Sequence, residues 1–190
     1  FIFDTNPINR LKNTTNNQKK ENNVDEIDRE KELNELKLQI NSIIDCDLKD
    51  NSKKIVLGDG NINSPIMLVG ETPGIEEDSA GLTFLGDVGD LLKKMLNAIN
   101  IKKENIYSTY AVNFRSPEDR KPTSKEIKRY SPFLQKQISI IKPKLIILMG
   151  STAMESLTGL SSKISIERGK WKEVIVQNTT YNVIITFNPS

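Results

Sequence analysis

The sequence predicts an α/β protein: a three-layer α/β/α sandwich around a central, mostly parallel sheet of four strands. Three observations point there. Apolar runs alternate with segments of helical period along most of the chain. Three of the runs are apolar throughout, "PIMLVG" and "PKLIILMG" among them, as strands covered on both faces are. The 190 residues suffice for one domain with a real core and a tail.

The elements follow in order. Residues 11 to 30, "LKNTTNNQKKENNVDEIDRE", carry too few apolar side chains to offset ordering entropy and read as a flexible linker. Residues 1–30 are therefore expected to be a flexible segment, with the folded domain over 31–190. Leu33, Leu36, Ile40 and Ile43/Ile44 recur at helical spacing and predict a helix over about 30–44. "KIVLG" reads as a short strand, "GDGNIN" as a turn and "PIMLVG" as a buried strand. "DVGDLLKKMLNAIN" is amphipathic, with apolar residues at 88, 91, 92, 95, 96 and 99. "NIYSTYAV" is a strand. "TSKEIKRYSPFLQKQISIIK" opens on a Thr/Ser cap, and Pro132 inside it predicts a kink or a split into two helices. "PKLIILMG" is the next strand, "STAMESLTG" a short helix stopped by Gly159, and "WKEVIV" and "YNVIITF" strands about a turn at Asn178. The chain opens on Phe and closes just after an apolar strand, so it reads as a fragment cut at both ends.

Composition narrows the chemistry. Net charge is +2, so nucleic-acid affinity would need a local patch. No run of apolar residues is long enough for a membrane span. There is one cysteine, Cys46, and no histidine. That excludes a disulfide framework, Cys/His zinc sites and Ser-His or Cys-His nucleophile pairs, and it fits a reducing cytoplasm. Chemistry is left to carboxylates, amides, hydroxyls, Lys/Arg and backbone dipoles.

Parallel strands end on one side of a sheet, and ligands bind beyond those ends. Four polar loops sit there: GETPG after "IMLV", the segment from Ala111 after "IYSTY", Gly150-Ser151 after "LIILM", and Asn188-Pro189-Ser190 after "VIITF". GETPG lacks the Gly-Lys-Ser/Thr ending of a phosphate loop. Glu76, Glu77 and Asp78 are adjacent loop residues, which seldom converge on one ion, so no metal site is expected. Phe84, a lone aromatic in a polar loop, either anchors that loop in the core or offers a flat face to a base.

With these residues assembled, "GETPGIEEDSAGLTFLGDVGDLLKKML" resembles the first motif of the family four uracil-DNA glycosylases. "NIYSTYAVNFRSPEDRKPTSKEI" is similar to their second block, "PKLIILMGSTAMESLTG" and "ERGKW" follow in family order, and "ITFNPS" resembles the closing T-F-H-P-S motif. The likeness spans about 43–190 and sits nearest the cluster-free, alphaproteobacterial-like branch. It implies a base-excision-repair enzyme that flips uracil out of single- or double-stranded DNA and hydrolyses its N-glycosidic bond. It places Gly70, Glu71, Thr72 and Gly74 around the base and Phe84 against its face. Glu77 falls on a second acid tied to water positioning or pocket structure. Glu71, Glu77 and Asn188 are the implied catalytic residues, and Tyr110 takes the base-reading position. Arg115, Arg120, Lys121, Arg168, Lys170 and Ser190 are candidate DNA contacts, and a monomer is expected.

Two departures stand out. The family's closing histidine, donor to uracil O2, is Asn188 here, which can donate but cannot carry a proton. Its base-reading asparagine is Tyr110, whose hydroxyl cannot copy a bidentate amide; Asn113, three residues on, should face the opposite side of the strand. The four cluster cysteines of many relatives correspond to Ile43, Cys46, Phe114 and Tyr130, so no iron–sulfur cluster is expected and Cys46 should be buried. The alternatives are a relative of altered specificity, a degenerate one that binds damaged DNA without efficient excision, and an unrelated nucleotide-binding module.

Overall fold

A computed structural model describes the backbone of residues 10–189 and the side chains of residues 26–189. The strands are β1 (Asp59–Gly60), β2 (Ile66–Gly70), β3 (Tyr107–Tyr110), β4 (Leu145–Met149), β5 (Trp171–Val176) and β6 (Thr179–Thr186). The helices are α1 (Arg10–Asn41), α2 (Asp47–Asp50), α3 (Ile75–Ala80), α4 (Gly86–Ala98), α5 (Ser124–Ile141), α6 (Ser151–Thr158) and α7 (Ile164–Glu167).

One six-stranded sheet has the order β1-β3-β2-β4-β6-β5. Its four central strands are parallel, as the apolar runs predicted. The sheet exceeds the expected four because antiparallel strands flank them, β1 beside β3 and β5 beside β6. β5 and β6 meet at Gln177 and Asn178, both at positive φ (47° and 64°), the geometry of a two-residue hairpin turn. Alternation along each strand sorts side chains to two cores. Met67, Val69, Ile146 and Leu148 pack with Leu36 and Ile40 of α1 and Leu134 and Ile138 of α5. Leu68, Tyr110 and Met149 pack on the other face with Leu92 and Leu96 of α4. This is the three-layer sandwich.

Three expectations change. The segment 11–30 is helical rather than a linker from Arg10 onward, and residues 1–9 lie outside those described. No Gly or Pro interrupts Arg10–Asn41, and Lys, Glu and Gln are fair helix formers, so helix continues beyond the part whose Leu33, Leu36 and Ile40 reach the core. In "KIVLG", Ile55, Val56 and Leu57 are buried but form no strand; Val56 instead exchanges bonds with Asn113, donating from N to its O at 2.9 Å and accepting from its Nδ2 at 3.1 Å. Helix α5 runs unbroken through Pro132. It opens on a reciprocal cap in which Thr123 N donates to Glu126 Oε2 at 2.7 Å. Among the described residues no helix is long and apolar enough to cross a membrane.

Candidate functional site

The loops that follow β2, β3, β4 and β6 do converge. They enclose a cleft of about 390 Å³ whose lining includes Glu71, Thr72, Gly74, Glu77, Phe84, Tyr110, Arg120, Lys121 and Asn188. Pro73, Val88, Asp119, Pro122, Ser151 and Thr152 complete it.

Glu71 leaves the end of β2 and meets the start of α6. Its Oε1 accepts from Thr152 N at 2.8 Å and from Ser151 Oγ at 3.2 Å. A carboxylate is stabilised there, because the first amides of a helix lack intrahelical acceptors and the helix dipole is positive at that end. The fit depends on Gly150, which has φ 98° and whose missing Cβ would collide with Glu71 Cγ and Cδ. Across the cleft, Asn188 Nδ2 donates to Glu71 Oε2 at 3.5 Å. The first and last motifs of the chain, 117 residues apart, thus meet at one carboxylate.

Glu77 is 7% exposed and binds inward. Gly74 N donates to its Oε2 at 3.0 Å and Leu85 N to its Oε1 at 2.8 Å. The carboxylate ties the GETPG turn to the loop that carries Phe84. Its neighbour Glu76 is exposed, and Asp78 is buried with Oδ1 accepting from Lys53 N at 2.9 Å. The three acids lie in the first turn of α3 rather than in a loop, and they point to three places; among the described residues no cluster suited to a metal ion occurs.

Phe84 has φ 50°, a left-handed conformation that a bulky side chain rarely takes. Several contacts impose it. Phe84 N donates to Tyr110 Oη at 3.0 Å. Thr83 donates to Asp59 through N (2.6 Å) and Oγ1 (2.8 Å). Lys103 Nζ donates to Thr83 O at 2.8 Å and Phe84 O at 2.9 Å. Gly89 in α4 lets the Phe84 carbonyl approach, since a Cβ there would overlap it. The Phe84 ring both anchors the loop in the core and forms part of the cleft wall.

Tyr110 lies beside it, ring centroids 5.0 Å apart and planes tilted by 41°. Both rings press on Gly70, where a Cβ would stand 2.8 Å from Tyr110 Cδ1 and 2.9 Å from Phe84 Cζ. Gly70 is accordingly behind the wall rather than in it. Burial pushes the Tyr110 phenol far up, and the Glu77 and Asp59 carboxylates add to this, so the hydroxyl keeps its proton. Asn113, beyond the end of β3 and outside the cleft lining, is buried with its Nδ2 donating to Val56 O at 3.1 Å.

The basic residues divide. Arg120 and Lys121 line the cleft. Arg120 is gripped by Glu126 through two bonds of 2.9 and 2.7 Å, which hold the Glu126 carboxyl at about 2. Lys121 Nζ donates to Ser151 Oγ at 2.8 Å. Arg115 lies outside the lining, bound by both oxygens of Asp119 at 2.7 Å. Arg168 also lies outside it, its guanidinium 4.8 Å from the Phe187 ring centroid, and Lys170 Nζ is 3.7 Å from Glu167. Ser190 is outside the described residues. Sequence reasoning missed Lys103, Asp59 and Thr152; of these only Thr152 had a signal, its place just after a strand.

A family model described as the Uracil DNA glycosylase superfamily matches residues 57–190. The chain is 33% identical over 162 residues to the type-4 uracil-DNA glycosylase of Archaeoglobus fulgidus, covering 83% of this chain and 81% of that one. It is 32% identical over 149 residues to that of Pyrobaculum aerophilum, covering 76% of each. For the type-4 uracil-DNA glycosylase of Thermotoga maritima the figures are 37% over 145 residues, 76% of this chain and 74% of the relative.

Proposed function

The chain belongs to the uracil DNA glycosylase superfamily, and from that premise we propose that it is a DNA-repair glycosylase that flips uracil into the cleft and hydrolyses its N-glycosidic bond, leaving an abasic site. The observation that carries the reading is the meeting of Glu71 and Phe84 from the first motif with Asn188 from the last around one cleft at the strand ends.

The chemistry follows from charge. The C1′–N1 bond breaks with its electron pair leaving on uracil, so the sugar becomes cationic and the base anionic. Water adds at C1′, its proton passes by way of solvent to the uracil anion, and the products are free neutral uracil and a hydroxylated abasic sugar. Asn188 donates from Nδ2 to uracil O2, where the negative charge gathers. Glu71, held by Thr152 and Ser151, sets the orientation of that amide through its Oε2. Because Asn188 stays neutral throughout, it stabilises the anion by a hydrogen bond rather than by protonation. The Phe84 loop supplies a rigid wall for the base, and Glu77 holds that loop in place.

The domain works without an iron–sulfur cluster. Supporting this, Cys46 Sγ is 3.2 Å from Tyr130 Oη, Phe114 and Tyr130 pack edge to face at 6.2 Å, and Ile43 packs on the same core. One thiol among apolar and aromatic groups does not fit a four-thiolate cluster. The same reading takes the protein as a cytoplasmic monomer, with its single cysteine a buried thiol.

A second reading, altered base specificity, is favoured by Tyr110, whose hydroxyl is already engaged by Phe84 N where relatives carry a base-reading amide. One assay separates the two. A labelled single-stranded oligonucleotide with one uracil is incubated with the protein and treated with alkali. Strand breakage at uracil alone is expected. No breakage, with tight binding to uracil-containing DNA retained, overturns uracil excision and moves the assignment to another damaged base or to binding without excision.

A further inference from the structure

We propose that a groove beside the cleft carries the DNA strand that continues from the flipped nucleotide on one side. The inference rests on the proposed function for what fills the cleft. The groove has a volume of about 440 Å³ and shares Lys121 and Ser151 with the cleft, so the two adjoin across a single ridge. Its walls carry Ser161, Ser162, Lys163 and Ser165, and its apolar side Leu160 and Ile164.

Three properties suit a nucleic-acid strand. Charge is the first. Two lysines face one carboxylate, Glu155, in the lining. Lys121 spends its bond on a neutral hydroxyl, and Lys163 is exposed with no carboxylate in ion-pair range among the described residues. Arg115, Arg120 and Lys170, by contrast, are matched with acids. The second is donor type: serine hydroxyls and lysines bond phosphate oxygens without reading sequence. The third is continuity. A nucleotide turned into the cleft drags its neighbours across the rim, and this groove begins at that rim. The side chains of 160–165 take no part in the chemistry above.

Equilibrium binding of fluorescent single-stranded oligonucleotides, measured from low to moderate salt, tests the proposal. One substrate keeps long flanks on both sides of the uracil; two others are trimmed on the 5′ or the 3′ side. A uracil-free oligonucleotide runs in parallel. K163A should weaken binding to the long substrate and lower the slope of log K against log salt by about 0.7, the value of one single-strand phosphate contact. K163E should weaken it further. Trimming one particular flank should erase the difference between wild type and K163A; trimming the other should leave it. K144A, ahead of β4 at the far end of the sheet, should match wild type. An unchanged slope in K163A, or a loss that survives trimming of either flank, overturns the groove. If wild type excises no uracil while the K163A slope still falls, the proposed function fails and the groove stands.

Discussion

Glu77 is the residue where sequence and geometry suggest different jobs, and Glu77→Gln separates them. Its carboxylate takes two buried backbone N–H groups, from Gly74 at 3.0 Å and Leu85 at 2.8 Å. Glutamine keeps one acceptor oxygen, so one of those N–H groups is left facing an NH2. Hydrogen bonds to a charged group are worth about 1.5–3 kcal/mol net, and an unmet buried donor costs a similar amount. A destabilisation of about 2 kcal/mol is therefore expected. For a domain of this size that lowers Tm by roughly 4–8 °C. Urea unfolding at neutral pH is the assay: the midpoint should fall with m unchanged. Uracil excision should fall too, because the Phe84 loop loosens. A variant that unfolds at the wild-type midpoint but has lost kcat would refute the clasp and make Glu77 a residue that handles the attacking water.

Three further outcomes are expected. Asn188→His should raise single-turnover uracil excision tenfold or more, since preorganised donors of this type are worth about 2.7–4 kcal/mol; an equal or lower rate removes Asn188 from the O2 position. Gly150→Ala combines unfavourable backbone geometry with a collision against Glu71, and should cost about 3 kcal/mol by urea titration and abolish excision. Glu126, whose folded-state carboxyl is depressed to about 2 from 4.5, contributes stability that is present above pH 4.5 and lost as pH falls toward 2. The stability gap between wild type and Arg120→Gln should accordingly shrink from pH 6 to pH 2.5; a constant gap would contradict the pairing.

The strand-end loops were legible because a parallel sheet leaves no choice about the side on which they emerge. Glu71 and Asn188 could be placed on that side from two apolar runs, although nothing in the spacing says that they touch. What the sequence conceals is pairing. Arg115 and Arg120 look like free cations in a basic stretch, yet Asp119 and Glu126 hold them. Lys103 looks like one more surface lysine, yet it binds two carbonyls of a loop nineteen and twenty residues away. The two-residue β1 is too short to carry a pattern. The resemblance shows Tyr110 to be larger than the family's asparagine; that its hydroxyl serves the Phe84 amide follows only from the left-handed turn at Phe84.

The acids of the cleft have a consequence for encounter with DNA. Three carboxylates in the lining, Glu71, Glu77 and Asp119, would repel an incoming phosphodiester if they faced it bare. Each is answered locally: Glu71 by the first turn of α6, Glu77 by two amides and Asp119 by Arg115. The long-range potential at the opening is left to Lys121 and its neighbours. Capture of DNA should then be electrostatically steered, with an association rate that falls as salt rises even though the molecule as a whole is almost neutral.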